Sequence, residues 1–143
     1  MELFECVQSV DSVDLARRLD RLAGDAGKAP YPVYLQVNVD DDAAKAGFSA
    51  THVESALPEI AALPGLELRG LMTVGRQVAR PEDARPTFAA LRELAARLRA
   101  AEQRLGDGLS MGMSDDFEIA IEEGATVVRI GRALFGERML GPR

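Results

Sequence analysis

Apolar runs of strand length alternate along this chain with segments whose apolar residues recur at helical spacing. Residues 3–10 read as a first strand, and Leu15, Leu19 and Leu22 follow at helical intervals behind Asp11 and Ser12, either of which can cap the helix. Gly24 and Gly27 end that helix. Residues 33–39 are the clearest strand, rich in β-branched side chains, entered from Pro30 and Pro32 and closed by Asp40, Asp41 and Asp42. Thr51 and Glu54 stand at capping-box spacing ahead of Leu57, Ile60 and Leu63, while Pro58 moves the expected start of the regular helix to about that residue. Residues 66–74 return to strand character. Phe88, Leu91, Leu94, Leu98 and Leu105 line one side of a long helix closed by Gly106. Residues 109–113 predict a short strand, 115–122 a helix ended by Gly124, 125–130 a strand and 131–137 a further helix start.

This rhythm of about five strands with crossover helices predicts an α/β fold around a parallel sheet, in one domain over residues 1–143. A closed (β/α) barrel needs eight strands and about 250 residues. From periodicity alone, an open doubly wound sheet of five strands is the simpler reading.

Charge narrows the function. A net charge of -6 and a pI near 4.8 disfavour a nucleic-acid partner, which calls for a basic surface. No apolar run approaches the ~20 residues of a membrane span, and residues 1–5 lack a basic region ahead of an apolar stretch, so a cytoplasmic protein is expected. The lone cysteine, Cys6, reads as strand packing, and the only histidine, His52, stands apart from it. Fifteen arginines face two lysines, Lys28 and Lys45, so lysine-based chemistry has few candidates.

Two strand-to-helix junctions carry the candidate chemistry: residues 109–116, Leu-Ser-Met-Gly-Met-Ser-Asp-Asp, and residues 128–131, Val-Arg-Ile-Gly. Helix starts present unpaired N–H groups, so neighbouring junctions suit a phosphate dianion. Ser114 is placed to cap its helix or to donate to that anion, and Gly131 would let backbone approach it. Both residues are equally ordinary at helix starts and turns in any α/β protein. Arg129, at the end of an apolar strand, calls for a fixed anionic or heteroaromatic partner.

The motif at 109–116, with Val-Arg-Ile-Gly at 128–131 and Phe-Gly at 135–136, resembles the signature of the YggS/PROSC pyridoxal phosphate homeostasis proteins. Gln36-Val37-Asn38 with Lys45-Ala46-Gly47, Leu68-Arg69-Gly70-Leu71-Met72, and Gln8-Ser9-Val10-Asp11-Ser12 are similar in order. The resemblance implies a barrel related to the N-terminal domain of alanine racemase, of which this chain would be the C-terminal portion: a partial (β/α) TIM-type barrel without its N-terminal strands. It also implies that pyridoxal 5'-phosphate (PLP) is the cofactor. Ser114 and the backbone of Gly131 and Arg132 would hold its phosphate, with Ser110 nearby, Arg129 would face the pyridine nitrogen, and Met72 would lie in the barrel interior. Met72 reads equally as a flexible core filler. An arginine there leaves the ring nitrogen unprotonated and weakens the ring as an electron sink, which suits a carrier better than an enzyme with turnover.

The family's cofactor-linked lysine, on an early strand, and a following His-Phe-Ile-Gly type motif do not appear here, and Val74-Gly75-Arg76 stands where the family commonly has prolines. PLP binding would therefore be non-covalent. Lys45, in an acidic loop, reads as a surface charge, and Lys28 falls on the wrong side of a strand. Open sheet edges would favour self-association or a partner chain. The rival functions are a truncated assembly module that has lost the cofactor, and a racemase-like enzyme that borrows a lysine.

Overall fold

The computed structural model describes residues 3–136. A parallel sheet of four strands in sequential order contains β1 (Val7–Val10), β2 (Tyr31–Gln36), β3 (Leu66–Met72) and β4 (Gly108–Ser110). The intervening helices are α1 (Val13–Asp25), α2 (Ala50–Ala61) and α3 (Arg85–Ala101), the last entered through a 3-10 turn at Pro81–Ala84; α4 (Phe117–Glu122) and the short α5 (Arg132–Phe135) follow. Each strand joins its parallel neighbour through a helical crossover, as in a (β/α) barrel.

The five strands expected are four. Residues 125–130 make a single bridge, Val127 to Ser110, instead of a strand. Val127 N–H donates to the Leu109 carbonyl at 3.1 Å and Met111 N–H to the Val127 carbonyl at 3.0 Å, the start of a parallel ladder. The next bond slips by one residue: Arg129 N–H reaches the carbonyl of Gly112, 3.0 Å away, where a regular ladder would use Met111. Gly112 has a φ of +92°, so the backbone turns there and the ladder ends.

Three other expectations shift. The first strand begins at Val7, because Leu3 and Phe4 project into solvent at the sheet edge. The second begins at Tyr31 and includes Pro32; β1 pairs only from Val33 onward, so the proline's missing N–H costs no ladder bond on that side. The helix expected from about Pro58 instead starts at Ala50, with Ser49 as its N-cap in place of the Thr51 and Glu54 box. Burial of Val53, Leu57 and Ile60, each contributing roughly 1.5–3 kcal/mol, offsets the cost of a proline inside the helix. The N-cap of α1 is Ser12, whose hydroxyl accepts from Leu15 N–H. The long helix stops at Ala101, and Leu105 is buried from the following turn. The last helix covers Arg132–Phe135; residue 137 of its expected span lies outside the described residues.

Alternation divides the sheet into two faces. Val33, Leu35, Val37, Leu71, Leu109 and Met111 join the apolar cluster that includes Phe88, Leu91 and Leu94 of α3. Tyr34 and Met72 are buried yet stand outside that cluster. Met72 pairs in register with Ser110. Gly70 makes the β3 to β4 approach possible: a Cβ there would lie 1.9 Å from the Gly108 carbonyl oxygen.

Candidate functional site

The face away from the apolar cluster carries a polar chain built from four separate segments. Gln8 of β1, Thr73 just beyond β3, Ser110 of β4 and Arg129 meet there. Ser110 Oγ donates to Gln8 Oε1 at 2.7 Å and accepts from Arg129 Nη1 at 2.8 Å. Arg129 Nη2 donates to the Thr73 carbonyl, also at 2.8 Å. Thr73 is itself fixed, since its hydroxyl donates to the Val37 carbonyl at 2.8 Å. Both terminal nitrogens of the guanidinium are thus anchored to neutral oxygens.

Arg129 is half-buried, and among the described residues no carboxylate lies within ion-pair distance of it. Burial lowers its proton affinity from the ordinary arginine value, and the more distant Asp116 carboxylate opposes that shift. Asp116 is buried and also holds the adjoining loop: its Oδ1 accepts from Met113 N–H at 2.7 Å, and Met113 O accepts from the N–H groups of Asp116 and Phe117. Ser114 sits inside this closed loop, and its hydroxyl accepts from Ala133 N–H in α5 at 3.1 Å. Arg132 pairs with Asp115 across the same opening.

A cleft of about 320 Å³ lies between these elements, lined by Met113, Ser114, Asp115, Arg129, Gly131 and Arg132. Four of the residues singled out in the sequence, Ser114, Arg129, Gly131 and Arg132, therefore share one opening. Ser110 reaches it through its bond to Arg129. Met72 lies behind, paired to Ser110, and does not line it. A side chain on Gly131 would meet nothing within 4 Å, so that position faces open space. Gln8, Thr73 and Asp116 are not marked as site residues in the sequence, although Gln8 opens the family-like block at 8–12 and Asp116 closes the motif at 109–116.

The lysines stand elsewhere. Lys28 follows α1, at the end of the sheet where strands begin. Lys45 lies in the loop after β2, which folds back so that Gln36 Nε2 donates to the Ala46 carbonyl and Asn38 Nδ2 to the Asp42 carbonyl. Its Nζ is buried between Asp40 and Asp42, 3.9 and 3.7 Å away, instead of standing solvated as expected. Neither lysine lines the cleft. Cys6 and His52 form no pair: burial raises the Cys6 thiol pKa beside Arg69 and Glu67, whereas His52 packs edge-on against Phe48.

A polar site on the inner face of a parallel sheet, at the strands' C-terminal ends, is the arrangement of barrel enzymes and their relatives. The model of the alanine racemase N-terminal domain matches residues 2–139, and the chain belongs to that family. Its similarity within the family is to pyridoxal phosphate homeostasis proteins, as the motifs at 109–116 and 128–131 imply. It is 46% identical over 141 residues to the pyridoxal phosphate homeostasis protein of Pseudomonas aeruginosa, covering 98% of this chain and 59% of that protein. It is 40% identical over 132 residues to that of Aquifex aeolicus, covering 92% and 58%. The structure of PipY from Synechococcus elongatus with PLP bound superposes with a TM-score of 0.87 at 38% identity, over 94% of this chain and 62% of that one. Alanine racemase of Corynebacterium glutamicum shares the fold at a TM-score of 0.70 and 18% identity, with 94% and 36% covered. The chain thus spans about three fifths of the length of these homeostasis proteins, consistent with a partial barrel. No helix among the described residues is long and apolar enough to cross a membrane.

Proposed function

We propose that this chain binds pyridoxal 5'-phosphate without a covalent bond, in the cytoplasm, and serves in the cofactor's homeostasis. The observation that carries this reading is Arg129: a half-buried cation anchored, among the described residues, by the neutral oxygens of Ser110 and Thr73, opening onto a cleft that Met113, Ser114, Asp115, Gly131 and Arg132 also line. The donor set fits the group. A hydroxyl, a guanidinium and the backbone at an unobstructed glycine suit a phosphate, and a fixed arginine suits a pyridine nitrogen.

Bound PLP supplies an aldehyde on a pyridine ring that can withdraw electrons. Arg129, always protonated and unable to give up its proton, keeps the ring nitrogen a hydrogen-bond acceptor and so limits that withdrawal. Ser114 and Arg132 hold the phosphate end. With the Lys45 ammonium between Asp40 and Asp42, no amine among the described residues lines the cleft for attachment. These roles together describe a site that holds and releases cofactor.

Titration of the purified chain with PLP, followed by borohydride reduction and intact-mass measurement, tests this reading. Saturable absorbance changes with no added mass are expected, and Ser114→Ala should weaken binding about tenfold, the loss of one charge-assisted hydrogen bond. An adduct on Lys45, or no saturable binding, would overturn it.

A second reading is favoured by the exposed Leu3, Phe4, Leu134 and Phe135 at the two ends of the sheet. These would bind another chain's strands at the open edges, and the chain would act as an assembly module. A monomeric elution in size exclusion would remove that reading.

A further inference from the structure

We propose that Gln8 is a positioning residue for the cofactor ring, acting on Arg129 through Ser110; this rests on the PLP reading above. Arginine only donates hydrogen bonds. Ser110 Oγ must therefore accept from Arg129 Nη1, and its single hydroxyl proton needs an acceptor elsewhere. Gln8 Oε1, 2.7 Å away, is that acceptor. The direction of every bond in the relay then follows from the charge at one end: Arg129 to Ser110, Ser110 to Gln8. The amide oxygen of Gln8 is committed, and its Nε2 is turned away from Ser110.

The relay fixes more than one bond. Nη1 is held by Ser110 and Nη2 by the Thr73 carbonyl, so two anchors on different nitrogens set the plane of the guanidinium. Its remaining N–H groups are left for a ligand in the cleft. Removing the acceptor at Gln8 frees the Ser110 proton to rotate toward the guanidinium, where it competes with the Nη1 bond and loosens that plane. The phosphate end is built from Ser114, Gly131 and Arg132 and has no bond to this relay among those described. Gln8 should therefore affect the ring and leave the phosphate contact alone.

Gln8→Met keeps the length and removes the acceptor, and Gln8→Glu restores an acceptor. PLP and inorganic phosphate are titrated separately into wild type, Gln8→Met, Gln8→Glu, Ser110→Ala and the double variant Gln8→Met with Ser110→Ala. The expected result is about tenfold weaker PLP binding by Gln8→Met with a shifted absorption maximum, unchanged affinity for inorganic phosphate, recovery of most of the loss in Gln8→Glu, and a double variant no weaker than Ser110→Ala alone. If Gln8→Met does not fold, the relay stands or falls on Ser110→Ala, which must weaken PLP selectively over phosphate. Equal weakening of both ligands, additive losses, or an unchanged Gln8→Met overturns the relay while the PLP reading survives. A wild-type chain that takes up no PLP overturns both.

Discussion

Arg129 Nη2 donates to the main-chain carbonyl of Thr73 at 2.8 Å, and so ties the irregular segment 125–130 to the end of β3. That segment's backbone bonds to the sheet run through residues 109–112, so the guanidinium supplies a cross-link where a full strand would have supplied a ladder. Arg129→Ala leaves the carbonyl of Thr73, a residue 1% exposed, short of a partner. A loss of about 1–3 kcal/mol in stability is expected for that unsatisfied group, together with PLP binding at least tenfold weaker. Arg129→Lys should lose less stability than Arg129→Ala but as much PLP affinity, because an ammonium cannot hold both anchors and face the ring. Denaturant unfolding and PLP titration of the two variants check this.

The loop after β2 predicts an acid transition. Enclosure of the Asp40 side chain pushes its carboxyl pKa up, but hydrogen bonds from Thr87 at 2.6 Å and from Arg76 outweigh that and hold it below the usual aspartate range. Because the folded carboxyl binds its proton more weakly than the unfolded one, this contribution is complete above about pH 4. It is lost as pH falls through the lower folded value. Thr87→Val removes the shortest of these bonds, so its melting temperature should begin to fall at a higher pH than wild type, with a cost of about 1–2 kcal/mol at pH 7. Melting curves between pH 2.5 and 7, a range of roughly the aspartate titration, would show the displacement; parallel curves would argue that Thr87 does not bond the carboxylate.

How far this could be read in advance depends on how local each signal is. The alternating side chains of Val33, Leu35 and Val37 announce β2 without reference to the rest of the fold, and the motif at 109–116 announces its loop. Pro58 misleads because its cost is local while the burial of Val53, Leu57 and Ile60 that offsets it is not. Gln8 and Ser110 are 102 residues apart, and their bond appears only once two edge strands of a four-stranded sheet curve toward one another. Four cleft residues were legible because the cleft is made by two sequence motifs; of the relay behind it, Ser110 and Arg129 lie in those motifs, whereas Gln8 and Thr73 belong to β1 and the end of β3 and meet them only in the folded sheet.

Asp116 separates charge from geometry. Its Oδ1 closes the loop around Ser114 by accepting from Met113 N–H at 2.7 Å, and its charge is the one that favours the protonated Arg129. Asp116→Asn keeps an acceptor and removes the charge, so the loop should persist with a cost under about 1 kcal/mol. Asp116→Ala removes both and should cost about 1–3 kcal/mol through the stranded N–H. If Ser114 holds phosphate as proposed, inorganic phosphate binding should survive in Asp116→Asn and weaken severalfold in Asp116→Ala. Equal losses in the two variants would place the effect in the charge.

Gly112 determines where the sheet stops. With φ at +92° it turns the chain out of β4, and a Cβ added there would lie 2.5 Å from the Cβ of Ala120 and 3.1 Å from the Cα of Phe117. Gly112→Ala therefore meets two penalties: about 1 kcal/mol for the left-handed backbone and an overpacking cost of about 1–3 kcal/mol as α4 is pushed from β4. The second penalty can be relieved while the first cannot. Ala120→Gly removes the atom nearest the new methyl, so the double variant Gly112→Ala with Ala120→Gly should recover part of the lost stability, less about 1 kcal/mol for a glycine in a helix. Because Arg129 N–H bonds to the Gly112 carbonyl, the single variant should also displace the guanidinium and weaken PLP binding. Urea unfolding of both variants, read alongside PLP titration, tests the coupling. If stability falls while PLP affinity holds, the turn at Gly112 serves the packing of α4 and not the placement of Arg129.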